Sequence, residues 1–214
     1  MGGLTTALAL QQAGIRVSVY EQAPALGEVG AGLTLASNAS RILQHLGLGA
    51  VLEDLAVIPG RGAVKHYRTG RTLVDIPRGT TQLERFGAPY CQIHRHDLHQ
   101  ALVAAVLSAD RNCLHLGCKL EDFGQDAQSV TALFANGRTA RGDLLLGCDG
   151  IRSTVRARLF GTEDPRFTGY VAWRGLVPME RLSASLVVPD SAVWIGPGRF
   201  LTRFFGPAVF GALT

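Results

Sequence analysis

The first 21 residues constrain the fold of this chain most strongly. Gly2 and Gly3 open a small apolar stretch, Gly14 follows it, and an apolar run from Ile15 ends at Glu21. This succession predicts a helix, a glycine stop and a buried parallel strand that ends in an acid. A dinucleotide-binding fold has the order strand, glycine-rich turn, helix, strand, acid. The first strand and the first two glycines of that turn are absent here, which predicts that the chain is a fragment.

Glu21 is the candidate binding residue at the end of this strand. It follows Gly3 at close to the spacing of about 20 residues at which a dinucleotide fold places the acid for the adenosine ribose. A carboxylate suits that role because it accepts two hydrogen bonds from a diol. A solvated glutamate at a strand end gives the same pattern, so the residues alone leave both interpretations open.

Length and composition exclude several classes of protein. The 214 residues suffice for one large domain, or for one domain and part of a second. The net charge of +4 is mild, and the loose group of basic residues from Arg61 to Arg95 gives little support for nucleic-acid binding, so we expect no nucleic-acid partner. No apolar run approaches the ~18 residues of a membrane span, and no signal peptide opens the chain. The 4 cysteines lack C-x-x-C spacing, which favours buried reduced thiols and a cytoplasmic location.

The middle of the chain carries a second candidate site. Residues 143–148 predict a buried strand that leads into Asp149 and Gly150, and a helix with Ser153 as its N-cap follows. Such a turn places a carboxylate and backbone N–H groups at the carboxyl end of a strand, where α/β folds bind ligands. An ordinary turn is the alternative.

The remaining pattern predicts the organisation of the chain. Gly70 lies in a turn between two strands, Arg95 opens an amphipathic helix, and Asn136-Gly137 predicts a hairpin. From about residue 168 the pattern becomes β-rich, so we expect a domain boundary near Pro165.

Taken together, these segments resemble the FAD-dependent monooxygenases of the aromatic-hydroxylase type, the group that includes salicylate and hydroxybenzoate hydroxylases. Six segments match in order, the resemblance extends to about Thr202, and the Asp149-Gly150 segment is its most specific part. The six are Gly2-Gly3 with its helix, Glu21, Gly30-Ala31-Gly32, Arg95 with its helix, Asp149-Gly150 and residues 169–175.

The resemblance implies an α/β fold: a Rossmann-like FAD-binding domain without its first strand, joined to part of a β-rich substrate domain. The implied FAD-binding domain covers residues 1–165, with residues 60–90 contributing partly to the substrate sheet, and residues 166–214 form the incomplete substrate domain. The first strand of the family and its later flavin-contacting turn have no match. The resemblance therefore implies a chain truncated at both ends.

The resemblance also implies which residues bind FAD. They are Gly3, Glu21, Ala31, Gly32, Arg95, Leu120 and Asp149. Gly3 would lie at the pyrophosphate, Glu21 on the adenosine ribose, and Arg95 near the pyrophosphate or the ribityl chain. Ala31 and Gly32 would lie beside the flavin. Leu120 would offer backbone contacts near the adenine, and Asp149 would lie near the pyrophosphate and the passage of the nicotinamide cofactor.

The matching residues of the substrate domain are Tyr170, Trp173 and Arg174. The resemblance implies that Tyr170 and Trp173 contact substrate and that Arg174 is catalytic or orients the substrate. Aromatic side chains on a sheet that pack a core are the alternative. We expect no metal site, although His94 and His96 flank Arg95.

The implied activity is hydroxylation of a small aromatic substrate of the phenolic-acid type. NADH or NADPH would reduce FAD, and O₂ would then form a flavin hydroperoxide that hydroxylates the ring. Thr34 occupies the position at which some members carry a base histidine, so the resemblance assigns no catalytic base. Two alternatives stay open: a non-catalytic fragment with weak or no FAD binding, and a flavin hydroxylase or epoxidase of a non-aromatic substrate. The sequence fixes no oligomeric state.

Overall fold

The chain folds into two units, each assembled from two stretches of sequence. The computed structural model describes residues 1–27, 32–183, 190–204 and 209–213. The first unit comprises Met1–Gly27 and Leu102–Thr168, and the second comprises Glu28–Ala101 and Gly169–Thr214.

The first unit contains a small parallel ladder with helices before its strands. Helix α1 (Gly2–Gln12) precedes β1 (Val19–Tyr20), which pairs in parallel with β6 (Leu114–His115). Helix α5 (Arg95–Ala109), whose residues are divided between the two units, leads into β6. Parallel strands that each follow a helix confirm the α/β class, because parallel pairing requires a crossover connection.

An antiparallel meander forms the other half of the first unit. Its strands are β7 (Leu120–Gln125), β8 (Val130–Phe134) and β9 (Thr139–Gly142). Alternate residues of β8 are buried, as expected for a strand with one covered face. Gly137 adopts φ +78° in the β8–β9 turn, which confirms the predicted Asn-Gly hairpin. Helix α6 (Thr154–Phe160) contacts β7.

The second unit is built on a six-stranded sheet of order β10-β13-β12-β11-β3-β4. Its strands are β3 (Arg61–His66), β4 (Thr72–Pro77), β10 (Trp173–Val177), β11 (Ser191–Gly196), β12 (Arg199–Phe204) and β13 (Val209–Leu213). Among the described strand pairs of this sheet, β11–β3 is parallel and the other four are antiparallel. Strands from residues 61–77 therefore share a sheet with strands from residues 173–213.

A two-stranded ladder and short helices complete the second unit. β2 (Gly32–Leu35) pairs antiparallel with β5 (Cys91–His94). The helical segments are α2 (Ser37–Leu43), a π-turn (Gln44–Leu48), α3 (Gly49–Leu55), α4 (Thr80–Phe86) and a 3₁₀ turn (Met179–Arg181).

The predicted buried strand at residues 143–148 is wrong. This segment is irregular, and two of its three leucines are largely exposed, Leu144 at 72% and Leu146 at 48%. No strand pairs with it among the residues that the structure describes, and a strand without a paired neighbour leaves its backbone groups unsatisfied. Within the described ranges β1 pairs with β6 alone and is partly exposed, which corrects the prediction that this strand is buried.

Of the 4 cysteines, Cys91, Cys113 and Cys118 are buried free thiols, as predicted, and Cys148 is exposed. In the part of the chain that the structure describes, no helix is long and apolar enough to cross a membrane.

Candidate functional site

Both carboxylate oxygens of Asp149 accept hydrogen bonds at the start of α6. Its Oδ1 accepts a hydrogen bond from Ser153 Oγ at 2.5 Å, and its Oδ2 accepts from the N–H groups of Thr154 at 2.7 Å and Val155 at 3.2 Å. Burial raises the pKa of the Asp149 carboxyl, but the hydrogen bonds from Ser153, Val155 and Thr154 outweigh it and lower the pKa below its ordinary value. The ionised carboxylate therefore caps the helix.

Ser153 and Arg156 complete the turn. Ser153 is the N-cap of α6, as predicted, and its Oγ accepts from the N–H of Arg156 at 3.0 Å. The guanidinium of Arg156 donates to the carbonyl of Ile151. Gly150 adopts φ +80°, a conformation that favours glycine. The turn is thus fixed by side-chain hydrogen bonds on both sides of Gly150.

The backbone before Asp149 packs against two neighbours, Val155 and Gly3. A Cβ placed on Gly147 would lie 2.7 Å from Cβ of Val155, so this glycine lets the segment approach α6. A Cβ placed on Gly3 would lie 3.5 Å from Cβ of Cys148, an ordinary contact distance. The structure therefore brings two predicted site residues, Gly3 and Asp149, into neighbouring backbone segments.

Helices α1 and α6 of the first unit differ in whether an acidic residue lies at their start. Asp149 and Ser153 occupy the N-terminal N–H groups of α6, whereas α1 has no acidic residue in its first turn. Exposed N–H groups at a helix N-terminus attract anions. A helix start without an acidic residue, as at Gly3 in α1, is compatible with a bound anion.

Glu21 directly follows β1. Its N–H donates to the carbonyl of His115 at 2.9 Å, and its Oε1 accepts from the N–H of Ala23 at 2.9 Å. The carboxylate is therefore oriented by its own turn at the carboxyl end of a parallel strand, where α/β sheets bind ligands.

Leu120 begins β7 and packs against the buried cluster of Cys118, Ala132 and Phe134. Tyr20 stacks on Phe134 with ring centroids 4.6 Å apart, so this core adjoins the end of β1.

In the second unit, Gly32 and Arg95 lie at the same end of the β2–β5 ladder. Gly32 pairs with His94, and Arg95 follows directly as the exposed first residue of α5. The neighbouring predicted residue, Ala31, lies outside the described residues.

The three predicted substrate residues do not share one surface. Trp173 pairs with Leu213 and Arg174 with Ala212, so the two side chains point to opposite faces of the sheet. Trp173 is 74% exposed, and Tyr170, which precedes the strand, is 69% exposed. One ligand on one face of this sheet therefore contacts Trp173 or Arg174, and not both.

The FAD binding domain family model matches residues 1–195. The chain belongs to this family. The match includes Gly3 at the start of α1 and Glu21 directly after β1.

Curated relatives are aromatic hydroxylases. The chain is 37% identical over 204 residues to a 3-amino-4-hydroxybenzoate 2-monooxygenase of Streptomyces platensis, covering 95% of this chain and 50% of the relative. It is 34% identical over 206 residues to the 6-hydroxynicotinate 3-monooxygenase of Pseudomonas fluorescens, covering 96% and 53%. The chain thus spans about half the length of the curated relatives it matches.

A solved structure of Klebsiella pneumoniae HpxO, complexed with FAD and uric acid, has the same fold. The TM-score is 0.84 at 28% identity, and the match covers 100% of this chain and 54% of that chain. The fold predicted from the sequence is confirmed by this similarity.

The residues of the first unit fit the adenosine and pyrophosphate part of FAD by their chemistry. Backbone N–H groups at α1 suit an anion, and the carboxylate of Glu21 suits a ribose diol. Gly147, which lets the segment before Asp149 pack against Val155, is a residue whose role the sequence analysis missed. A glycine inside an apolar run was the available signal, since it marks close backbone approach.

Proposed function

We propose that this chain is the FAD-binding part of a monooxygenase that hydroxylates an aromatic acid, with NADH or NADPH as the electron donor. The observation that carries the proposal is the family match over residues 1–195, together with Gly3 at the start of α1 and Glu21 directly after β1. The start of α6 is capped by Asp149 and Ser153, whereas α1 has no acidic residue in its first turn, where Gly3 lies next to Cys148.

The cofactor contacts follow from this placement. We assign the pyrophosphate to the start of α1 at Gly3, the adenosine ribose to Glu21, and the adenine region to the backbone at Leu120. Arg95 is assigned to the pyrophosphate or ribityl region because a guanidinium suits phosphate. Ala31 and Gly32 are assigned to the flavin.

FAD, when bound, supplies the redox chemistry that uses NAD(P)H and O₂ to place one oxygen atom on the ring. The contribution of the chain is to bind the cofactor, to orient its two ends and to keep water from the reacting ring. Tyr170 and Trp173 are proposed substrate contacts. Arg174, on the opposite sheet face, is proposed as the alternative: if it orients an acidic substrate, that substrate does not contact Trp173.

The substrate class rests on what the relatives act on. Their names specify 3-amino-4-hydroxybenzoate, 6-hydroxynicotinate and 3-hydroxybenzoate, which are all hydroxylated aromatic acids. The HpxO structure holds uric acid, which favours a non-phenolic heterocycle as the second candidate.

FAD titration tests the proposal. We expect the purified chain to take up FAD, with quenching of flavin fluorescence, and Glu21→Gln to weaken binding by about tenfold through loss of a charged acceptor. Glu121→Gln is the matched control, because Glu121 is an exposed carboxylate on β7 of the same unit. A chain that takes up no added FAD is instead the non-binding fragment.

Substrate-stimulated NAD(P)H oxidation tests the second part. Hydroxybenzoates and hydroxynicotinates are expected to stimulate it more than urate or non-aromatic compounds. Stronger stimulation by urate would select the second candidate.

A further inference from the structure

We infer that Asp149 is a positioning residue: it fixes the backbone at Gly147–Gly150 against α1 by capping α6, and its carboxylate does not touch the cofactor. The inference rests on the proposed function and changes the role of a residue that the family resemblance places among the cofactor contacts.

The carboxylate of Asp149 is directed toward α6 by its hydrogen bonds. Both carboxylate oxygens accept from α6, at 2.5 Å from Ser153 Oγ, 2.7 Å from Thr154 N and 3.2 Å from Val155 N. These three hydrogen bonds fill most of the acceptor capacity of the carboxylate and fix its orientation toward α6. The charge of the carboxylate is already compensated by the start of the helix.

Charge repulsion opposes direct contact between the Asp149 carboxylate and the pyrophosphate. The pyrophosphate of FAD is an anion, and so is the Asp149 carboxylate, whose pKa lies below its ordinary value. Two like charges in direct contact repel each other. We therefore infer that Asp149 favours anion binding at α1 by holding the neighbouring backbone in place. Direct contact between its carboxylate and the anion would weaken that binding.

Helix α6 also has contacts that do not involve Asp149. Arg158 Nε lies 2.8 Å from Asp122 Oδ1 of β7, and Val155 packs against Gly147. The helix is thus attached to the meander independently of Asp149. Removing the carboxylate is expected to release the turn at Gly150 and leave α6 in place.

The experiment combines a double-mutant cycle with hydrogen exchange. Asp149→Asn, Ser153→Ala and the double variant are titrated with FAD, and amide exchange at Thr154 and Val155 is measured in the cofactor-free full chain. Asp126→Asn is the matched control. Asp126 Oδ1 accepts from the N–H groups of Gln128 and Ser129, both at 2.8 Å, in a turn of the same unit.

Each single variant is expected to raise the Kd for FAD by about tenfold, and the double variant by no more than the larger single effect, because both act through one cap. Both singles are expected to speed exchange at Thr154 and Val155. The control is expected to leave the Kd within about twofold.

Three results would overturn the inference. A raised Kd in Asp149→Asn with unchanged exchange, additive to Ser153→Ala, shows direct contact with FAD. Faster exchange with an unchanged Kd shows a cap without influence on the cofactor. Unchanged exchange and unchanged Kd show neither role. Absence of FAD uptake by the unsubstituted chain contradicts the proposed function and the cofactor part of the inference together, whereas the exchange measurement still decides the cap.

Discussion

Gly147→Ala is expected to destabilise the first unit through one steric conflict. The added methyl carbon would lie 2.7 Å from Cβ of Val155, 3.0 Å from Cγ1 and 3.1 Å from Cγ2. Carbon atoms pack at about 3.5–4.0 Å, so the segment and α6 have to separate by roughly 0.8 Å. The atom at 2.7 Å is a Cβ, which no rotamer change can move.

The magnitude follows from two opposing terms. Overpacking of this kind costs about 1–3 kcal/mol. The substitution also restricts the unfolded chain, which returns about 0.4–1 kcal/mol because Gly147 has no left-handed φ. The net loss lies between about 0 and 2.6 kcal/mol, and its central value of about 1.3 kcal/mol corresponds to a Tm lower by roughly 3–5 °C for a chain of this size.

Urea unfolding followed by circular dichroism measures this loss. Gly124→Ala is the matched control, since a Cβ there meets no atom within 4 Å and Gly124 also lacks a left-handed φ. It is expected to be neutral or slightly stabilising. Equal midpoints for the two variants would refute the steric argument.

The partner residue gives a sharper test of the same contact. Val155→Gly removes the Cβ and is expected to rescue Gly147→Ala, apart from a helix cost of about 1 kcal/mol. Val155→Ala keeps the Cβ and leaves the 2.7 Å contact in place. Rescue by alanine as complete as rescue by glycine would show that the conflict lies elsewhere.

Three further predictions concern other parts of the chain. Thiol titration with a chromogenic disulfide is expected to give one fast thiol, Cys148, in native protein, and additional reaction only on unfolding, because the other three are buried. Gly196→Ala is expected to lower the melting temperature, since its Cβ would lie 2.8 Å from Cγ of the Tyr67 ring, and Tyr67→Ala is expected to remove that effect. The pKa of Asp149 and of Asp126 is lowered in the folded chain, so their stabilisation is complete above the ordinary value of 3.8 and is lost as the pH falls through the folded pKa. Asn at either position is expected to flatten the acid limb of the unfolding curve, and an unchanged limb would contradict the assignment.

Local signals predicted the elements that depend on neighbouring residues. Ser153 was identified as an N-cap, Asn136-Gly137 as a hairpin turn and Arg95 as the start of a helix, and each is confirmed. These features depend on backbone preferences and on side-chain hydrogen bonds within a few residues. They are accessible from a single sequence for that reason.

Features that depend on distant partners were not accessible in this way. The apolar residues 143–148 have the composition of a strand, yet a strand exists only when another strand pairs with it. The opposite orientations of Trp173 and Arg174 follow from strand alternation. They could have been predicted once residues 173–177 were assigned to one strand. The contacts of Asp149 required coordinates, because the Asp-Gly pair alone does not show which atoms the carboxylate meets.

The mixed sheet of the second unit has a consequence for how the chain is made. Asp190 Oδ2 receives the N–H of Arg61, 129 positions earlier, and β3 pairs beside β11. During synthesis the β3–β4 hairpin emerges long before the strand that completes its sheet, and an isolated hairpin is only marginally stable in water. Pairing over such separations is slow, because the loop must close before the contact forms. A nascent chain that has not passed residue 196 therefore exposes the unpaired edge of β3. We expect a chaperone to protect this edge until β11 has been synthesised.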